Sequence, residues 1–514
     1  MQNNRIKNNK PQSLLRNLDN FSTITNEKDL KIYQERIQSL KIEVILKDND
    51  SNIKITENNI LICNIVLNLL DRFLTNIRYT SNPEYLKKIF PNSFLQNIQS
   101  KNFDGEPTLS IIIGNKREAV QSPLYLSSNG WSVYLSRKKP CPWKIFTENP
   151  LSAIYIAALG VGEVFKLLVE DYASVEIKDD FIYDFITHGK TNQPVTNPLL
   201  PSYLDINLIL VGCGAIGQAV AFALDQFELR GKITLIDPDI IDESNTQRYL
   251  LAFNENIGMS KTQFLSRYLM DNKNNLLTAL EFIQPYEISI TIYESLFKME
   301  NVFISVDNKR TRVNLQAALP RRIWNIWTDT AQGILRYGIG KHDFANENQC
   351  LACAYYPEGD IPNQMELNAA ILGVSQEEIN QRLQRNDLIT KSDLEYLMNN
   401  YTIPPDQITR VKSLEGQPFS NIFHGECGIY NIRLMEKQEP TPATHISVMA
   451  GVYSVIQFIL NKMGIKNGHL VESVAEFNAF AYPNENCLIK KNRHPKCVCN
   501  DPIYQEVFKN KWEL

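Results

Sequence analysis

The sequence lacks an excess of charge of either sign: 53 Lys and Arg stand against 57 Asp and Glu, a formal charge of −4. That balance excludes a broad basic face that neutralises phosphates, and with it nucleic acid as the main partner. Cysteine is sparse, nine in 514 residues, and the count is odd and scattered, unlike a small disulfide scaffold. Metal binding or thiol chemistry suits that usage better than disulfides. No apolar run approaches the roughly 20 residues that span a bilayer, and the start of the chain lacks the apolar core of a secretory signal. The expectation is a cytoplasmic protein with no membrane partner. Gly (22) and Pro (24) are near average and hydrophobic residues make up 43%, which excludes disorder and fibrous repeats.

What is present is a strand, a glycine-rich turn and a helix. Asn207–Val211 is apolar, then breaks into Gly212, Gly214 and Gly217, and Gln218–Phe227 continues with a helical pattern. A second buried strand, Lys232–Ile236, ends in Asp237, about 20 residues beyond the last glycine, where a Rossmann-type unit carries a ribose-binding acid. A third, Val302–Val306, ends in Asp307. Such alternation predicts an α/β fold, a parallel sheet with helices on both faces. The polar, proline-bearing stretch Thr187–Pro201 in front of it reads as a linker.

The region before that linker echoes the region after it. Asn115-Lys116-Arg117 matches Asn308-Lys309-Arg310, with Gly114 opposite Asp307. Leu70–Phe73 matches Leu224–Phe227, which sets Asn58, Ile60 and Cys63 where Gly212, Gly214 and Gly217 stand. Ala158–Leu168 matches Met449–Ile459, each a helix closing its segment. The three pairs keep their order, which suggests a duplicated unit whose first copy has lost the phosphate turn.

The glycines alone suit NAD, FAD or ATP. The next segment separates these, carrying Asp237, Asp239, Ser244, Asn245 and Arg248, followed by Gly258-Met-Ser-Lys261. It resembles the ThiF/MoeB superfamily, the adenylating domains of ubiquitin-activating enzymes and of sulfur-carrier activators. The D-x-D-x-V-x-x-S-N-x-x-R run of that family is matched with Ile241 in place of Val. The resemblance implies a Rossmann-like adenylation fold that binds ATP and Mg²⁺. Asp237 would take the ribose, with Asp239 beside it, while Asn245, Arg248 and Lys261 grip the triphosphate and Asp307 holds Mg²⁺ or steers the α-phosphate. Cations and a metal are what transfer of an adenylyl group needs, because charge develops on phosphate oxygens.

Cys350-Leu-Ala-Cys353 and Cys497-Val-Cys499 are two close thiol pairs suited to tetrahedral, structural Zn²⁺. The superfamily commonly carries two C-x-x-C clips, and the second pair departs from that by one residue. Cys427, in Phe423–Ile429, lies in a polar, glycine-flanked segment from which a thiol reaches a bound acyl adenylate. In the ubiquitin-activating branch such a cysteine accepts the activated tail as a thioester. The resemblance also implies an arginine supplied by the partner adenylation-like unit, and Arg36, in Tyr33–Ile37, is the candidate.

The expected architecture is a tandem ThiF/MoeB fold: an inactive adenylation-like domain over 1–190, an active one over 191–349, a helical cysteine-bearing insertion over 350–440, and closing helices with a zinc-clip tail over 441–514. The implied function is activation of a ubiquitin-like protein ending in glycine, with Arg248, Lys261, Asp307 and Cys427 carrying the chemistry and a conjugating enzyme downstream. A homodimer is compatible, since the superfamily pairs often. The alternatives are a sulfur-carrier-protein adenylyltransferase with no thioester, and a non-catalytic nucleotide-binding scaffold.

Overall fold

The computed structural model describes residues 30–47, 55–86, 92–355, 372–400, 408–419, 443–465 and 473–514, less positions 190, 192, 273, 294, 295, 297, 308, 332, 333, 346 and 386, together with Ile24 and Ala369. The chain divides into two compact units, Met1–Tyr355 with Thr441–Leu514, and Tyr356–Pro440.

The larger unit is mixed α/β and contains two sheets. The first runs β2 (Ile77–Thr80), β1 (Ile42–Ile45), β3 (Leu109–Ile113), β4 (Pro123–Asn129), β5 (Ser132–Ser136), β6 (Asp180–Asp184). Its β2, β1, β3 and β4 are parallel, and β5 and β6 turn antiparallel. The second sheet repeats this order as β8 (Glu228–Ile236), β7 (Tyr203–Val211), β10 (Asn301–Ile304), β11 (Arg322–Ala331), β12 (Ile334–His342), β13 (Val474–Asn478). It adds β9 (Leu276–Phe282) outside β8 and β14 (Leu488–Ile489) outside β13. Again the first four strands are parallel and the next two antiparallel. Strand β3 and the inner end of β7 are buried on both faces, hence the unbroken apolar runs Leu109–Ile113 and Leu208–Val211.

Each half places one helix after its first strand and one long helix near its end. Helix α1 (Leu30–Ser39) precedes β1 and α2 (Glu57–Asp71) follows it. Helix α4 (Ala215–Leu224) follows β7. The long helices are α3 (Pro150–Val169) and α7 (Thr444–Lys462). Asn149 caps α3, its Oδ1 accepting from the Leu151 and Ser152 N–H groups, with Pro150 at the first helical position. Both long helices are apolar enough to cross a bilayer, which corrects the expectation that no apolar run comes near that length. They are buried core: α3 packs on α2, and α7 packs on both α3 and α4. A helix covered on every side is apolar on every side, so composition alone imitates a span. Gly451 permits the α7–α4 approach, since a Cβ there would meet that of Ala219 at 2.6 Å.

The glycine-matched positions Asn58, Ile60 and Cys63 lie inside α2, so the first half has helix where the second has a turn. The stretch expected as a linker is pinned to the first half: the Val195 carbonyl accepts from the Trp131 N–H at 2.7 Å, and Trp131 Nε1 donates to the Pro198 carbonyl at 2.7 Å. In the smaller unit, helices over Gln376–Gln384, Lys391–Asn400 and Ile408–Lys412 close around Leu372, Ile379, Leu394, Val411 and Phe419. Arg382 forks onto Asp393 there at 2.7 Å through both terminal nitrogens and lies over the Phe419 ring.

His445 of α7 is sealed against Phe165 of α3, and burial, with Lys166 adding repulsion, pushes its pKa down to about 3. Below its unfolded value near 6.5 only the unfolded chain takes up this proton. The stabilisation from a neutral His445 is therefore complete above pH 6.5 and is lost as pH falls toward 3. Between pH 6.5 and 5 the wild type should lose roughly 2 kcal/mol more than His445→Gln in denaturant titrations. Equal losses would contradict a buried neutral imidazole.

Candidate functional site

The carboxyl ends of β7, β8 and β10 lie side by side, with Val211 in register with both Ile236 and Ile304. The glycine turn leaves β7 at this edge, flanked by Asp237 just past β8 and by Asp307 three residues past β10. Chain direction diverges here between neighbouring parallel strands, which is where α/β sheets hold ligands. Gly212 has φ of +96°, and a Cβ on it would stand 2.9 Å from Ser305 Oγ. A Cβ on Gly217 would stand 2.2 Å from the Gly212 carbonyl oxygen, so the turn folds back onto its own helix only with glycine there. Gly214 is the N-cap of α4 and supplies no side-chain cap. The first turn of α4 therefore has no side-chain cap on its N–H groups and has the helix dipole behind it, the physical setting that favours an anion.

Asp237 is buried and ties the second strand to the turn. Its Oδ2 accepts from the Cys213 N–H at 2.7 Å and its Oδ1 from the Asp239 N–H at 2.9 Å. Burial raises its pKa, while Lys261 and the two N–H groups work the other way. Lys261 opens α5 (Lys261–Asp271), and its Nζ lies 2.7 Å from Asp239 Oδ2 and 3.9 Å from Asp237 Oδ1. Burial would lower that ammonium's pKa, but Tyr249, Asp237 and Asp239 outweigh it and the net shift is upward. The placement is local: the Lys261 N–H donates to the Asp239 carbonyl and the Ile241 N–H to the Met259 carbonyl, pairing the two segments.

Between them runs the loop that carries Asn245 and Arg248. Asp242 and Asn245 cap each other, each side-chain Oδ1 accepting the other's N–H, and Ser244 Oγ donates to Asp242. Arg248 donates to the Ser244 carbonyl at 3.3 Å and lies beside the Tyr249 ring. Gln218 of α4 accepts the Leu251 and Ala252 N–H groups, and Thr444 of α7 donates to the Gln247 carbonyl at 2.7 Å. Asp237, Asp239, Asn245, Arg248 and Lys261 therefore belong to one connected assembly with the glycine turn.

Asp307 is exposed. Its loop is held from α6 (Lys309–Ala317), where Arg312 Nε donates to the Val306 carbonyl at 2.9 Å and its terminal nitrogens reach Asn325 Oδ1 and the Ile326 carbonyl. Arg312, Gln218 and Tyr249 escaped the sequence reading. Tyr249 stands next to Arg248, the one hint available, and its hydroxyl closes over Gly214. Cys213 is fully buried, and burial raises its pKa, as expected of packing rather than of a nucleophile.

Cys350, Cys353, Cys497 and Cys499 converge, their sulfurs all within 4.8 Å of one another. Cys350 lies 3.8 Å from Cys353 and 3.6 Å from Cys497, and Cys353 lies 3.3 Å from Cys499. Four sulfurs at about 2.3 Å around tetrahedral zinc would be about 3.8 Å apart, so the set is compatible with that ion despite the shortened second clip. The His494 N–H donates to Cys353 Sγ at 3.3 Å. Arg36 is engaged within the first half, donating to the Leu168 carbonyl at 3.0 Å and pairing with Asp171 at 2.5 Å. Cys427 lies outside the described residues.

A family model described as the ThiF family matches residues 199–499. The chain is similar to the uncharacterised protein y4jF of Sinorhizobium fredii, 24% identical over 426 residues that span 78% of this chain and 77% of that one. It is 29% identical to the tRNA threonylcarbamoyladenosine dehydratase of Escherichia coli over 118 residues, 23% of this chain and 42% of the relative. Among solved structures, E. coli MccB with MccA-N7isoASN aligns over 74% of this chain and 98% of its own, at 13% identity and a TM-score of 0.36.

The turn gives a direct test. Gly217→Ala forces its methyl onto the Gly212 carbonyl and should cost about 1–3 kcal/mol of stability, read as a lowered melting temperature. The same variant should bind ATP at least tenfold more weakly by calorimetry, by order of magnitude for a distorted phosphate cradle. Unchanged affinity would place the nucleotide elsewhere.

Proposed function

Because the chain belongs to the ThiF family, matched over residues 199–499, we propose that its second half binds ATP with Mg²⁺ and adenylates the C-terminal carboxylate of a ubiquitin-like protein ending in glycine. The observation that carries this reading is the joining of an uncapped helix start at Gly214 to a buried acid, Asp237, and a buried cation, Lys261, through direct hydrogen bonds and ion pairs. The α4 N–H groups and Lys261 would receive phosphates, Asp237 and Asp239 would lie on the ribose side, and Asn245 and Arg248 would hold the triphosphate. The exposed Asp307 carboxylate would hold Mg²⁺, which supplies charge neutralisation at the phosphates.

A carboxylate oxygen of the carrier attacks the α-phosphorus, the bond from that phosphorus to the bridging oxygen breaks, and pyrophosphate leaves. Arg248 and Lys261 stabilise the negative charge gathering on the phosphate oxygens. The Cys427 thiolate then attacks the acyl carbon and AMP leaves with the bonding pair, giving a thioester for transfer to a conjugating enzyme. Residues 350–440 form the cysteine-bearing insertion in this scheme.

The first half, in the same reading, is a copy without nucleotide chemistry. Its strand order supports this, and so does the start of α2, where Thr56 Oγ1 accepts the Asn59 N–H and Glu148 accepts the Asn58 N–H at 3.0 Å. Donors that would meet phosphate are already taken. Contact between α3 and α7 joins the halves as two separate copies would otherwise be joined, and a homodimer remains compatible with this reading.

Pyrophosphate exchange into ATP in the presence of the carrier tests the adenylation step. Arg248→Ala and Lys261→Ala should each lower the exchange rate by about 10²–10³-fold, and absence of exchange by the wild type would leave only a binding scaffold. Cys427→Ala should retain exchange but lose a carrier adduct that thiols release on non-reducing gels. A wild type that exchanges and never forms the adduct is a sulfur-carrier-type adenylyltransferase instead.

The four thiols would hold Zn²⁺, which supplies folding energy and no chemistry at the phosphates. Metal analysis should find one zinc per chain, and chelation or Cys350→Ser should lower the melting temperature. A protein purified metal-free with an unchanged melting temperature would refute the zinc assignment.

A further inference from the structure

A cation of the first half enters the nucleotide assembly of the second. Arg72 sits at the C-terminal end of α2 and extends its guanidinium into the loop that carries Asn245 and Arg248. One terminal nitrogen donates to the Thr246 carbonyl and, at 3.0 Å, to that of Ala252, and the other reaches the Leu250 carbonyl at 3.4 Å. The plane lies over the Phe253 ring, 4.6 Å from its centroid. Carbonyls on both sides of Arg248 thus converge on one group from a segment some 170 residues earlier in the chain.

Only a forked, planar cation meets three carbonyls and an aromatic face together. Lysine presents a single ammonium and no plane. The corresponding position of the second half is Gln226, whose amide donates to the Phe222 carbonyl of its own helix at 3.1 Å. The contact therefore runs one way, from the half without a phosphate turn to the half with one. Burial brings the Arg72 pKa down to about 10, against which Asp71 works, and the group stays charged at neutral pH.

We propose that Arg72 is a positioning residue for the nucleotide site: the first half supplies it to fix the 246–252 backbone, and so to aim Arg248 at the triphosphate. This rests on the reading of the second half as the ATP-binding half. Arg72 would not touch the nucleotide. Its loss would free carbonyls that the guanidinium gathers, and a loop displaced by about 1 Å costs on the order of 10²-fold in a reaction that depends on charge placement.

The test uses the full-length chain with Arg72→Lys and Arg72→Gln, the latter introducing the second half's own residue. Amide hydrogen exchange without nucleotide should show faster exchange for 246–253 in both variants while the strands of the second sheet stay protected. With ATP, the KM for nucleotide in pyrophosphate exchange should rise roughly tenfold or more in Arg72→Gln and less in Arg72→Lys, while the KM for the carrier stays unchanged. A uniform rise in exchange over the whole chain would assign Arg72 to general stability and overturn the proposal. Unchanged loop exchange and unchanged KM would overturn it also. If the wild type binds no ATP, the adenylation reading fails, and the exchange measurement alone still decides whether Arg72 fixes the loop.

Discussion

A helix that begins in a protein interior leaves its first N–H groups to be satisfied, and the site is built around how α4 meets that demand. Gly214 has no side chain to turn back onto them. The turn before it is drawn so tightly that Gly217 lies against the Gly212 carbonyl, which starts α4 at the carboxyl edge where β7 and β10 pair. The Cys213 N–H goes to Asp237, and this fixes the acid that ends β8. A buried carboxylate held by two N–H donors still needs a counter-charge, and Lys261 stands 3.9 Å away, bridging to Asp239. The positions of the acid, the lysine and the segment pairing 239–241 with 258–261 all follow from the one tight turn.

Comparison of the halves shows the same scaffold meeting the same demand in opposite ways. Both place a helix after the first strand of an identical strand order. In the first half the helix begins earlier, takes in the positions matched to the glycines, and spends its leading N–H groups on Thr56 and Glu148. The Glu148 carboxylate takes one of these N–H groups at 3.0 Å. The two halves share a packing face: α3 lies against α7, and the Tyr155 and Tyr337 hydroxyls meet at 2.6 Å across the halves. The first half thus covers the core helix of the second.

The parts legible in the sequence were those whose signal is local. Glycine spacing marks the turn, an acid after a strand marks Asp237, and two thiol pairs announce the cysteine cluster even though Cys350 and Cys497 are 147 positions apart. Arg72, Gln218 and Arg312 carried no such signal, because each acts on backbone carbonyls or N–H groups that only tertiary folding brings near. Arg36 had a motif-like setting, yet its guanidinium is spent on Leu168 and Asp171 at the end of α3. The apolar runs of α3 and α7 are hard to see in the sequence because Ser, Tyr, Gly and Gln break them, and those residues are buried along with the rest. A window that counts only apolar letters misses a helix whose small and polar residues pack as tightly as its leucines.

The tail beyond α7 is distant from the glycine turn in sequence but reaches the Asp307 loop through one rigid element. From α8 (Pro502–Trp512), Lys511 Nζ donates to the Ala318 carbonyl at 2.6 Å and Trp512 Nε1 to that of Leu319 at 3.0 Å, closing the end of α6. The cysteine clip grips α6 as well, since the Leu351 N–H, between Cys350 and Cys353, donates to Gln316 at 2.8 Å. At the other end of α6, Arg312 holds the Val306 carbonyl next to Asp307. A helix of nine residues transmits position far better than a loop, so fixing its C-terminal end fixes the base from which Arg312 reaches. The cysteine cluster and the last helix therefore stabilise the frame in which the exposed Asp307 carboxylate is presented, which gives a structural reason for a thiol clip far in sequence from the glycine turn.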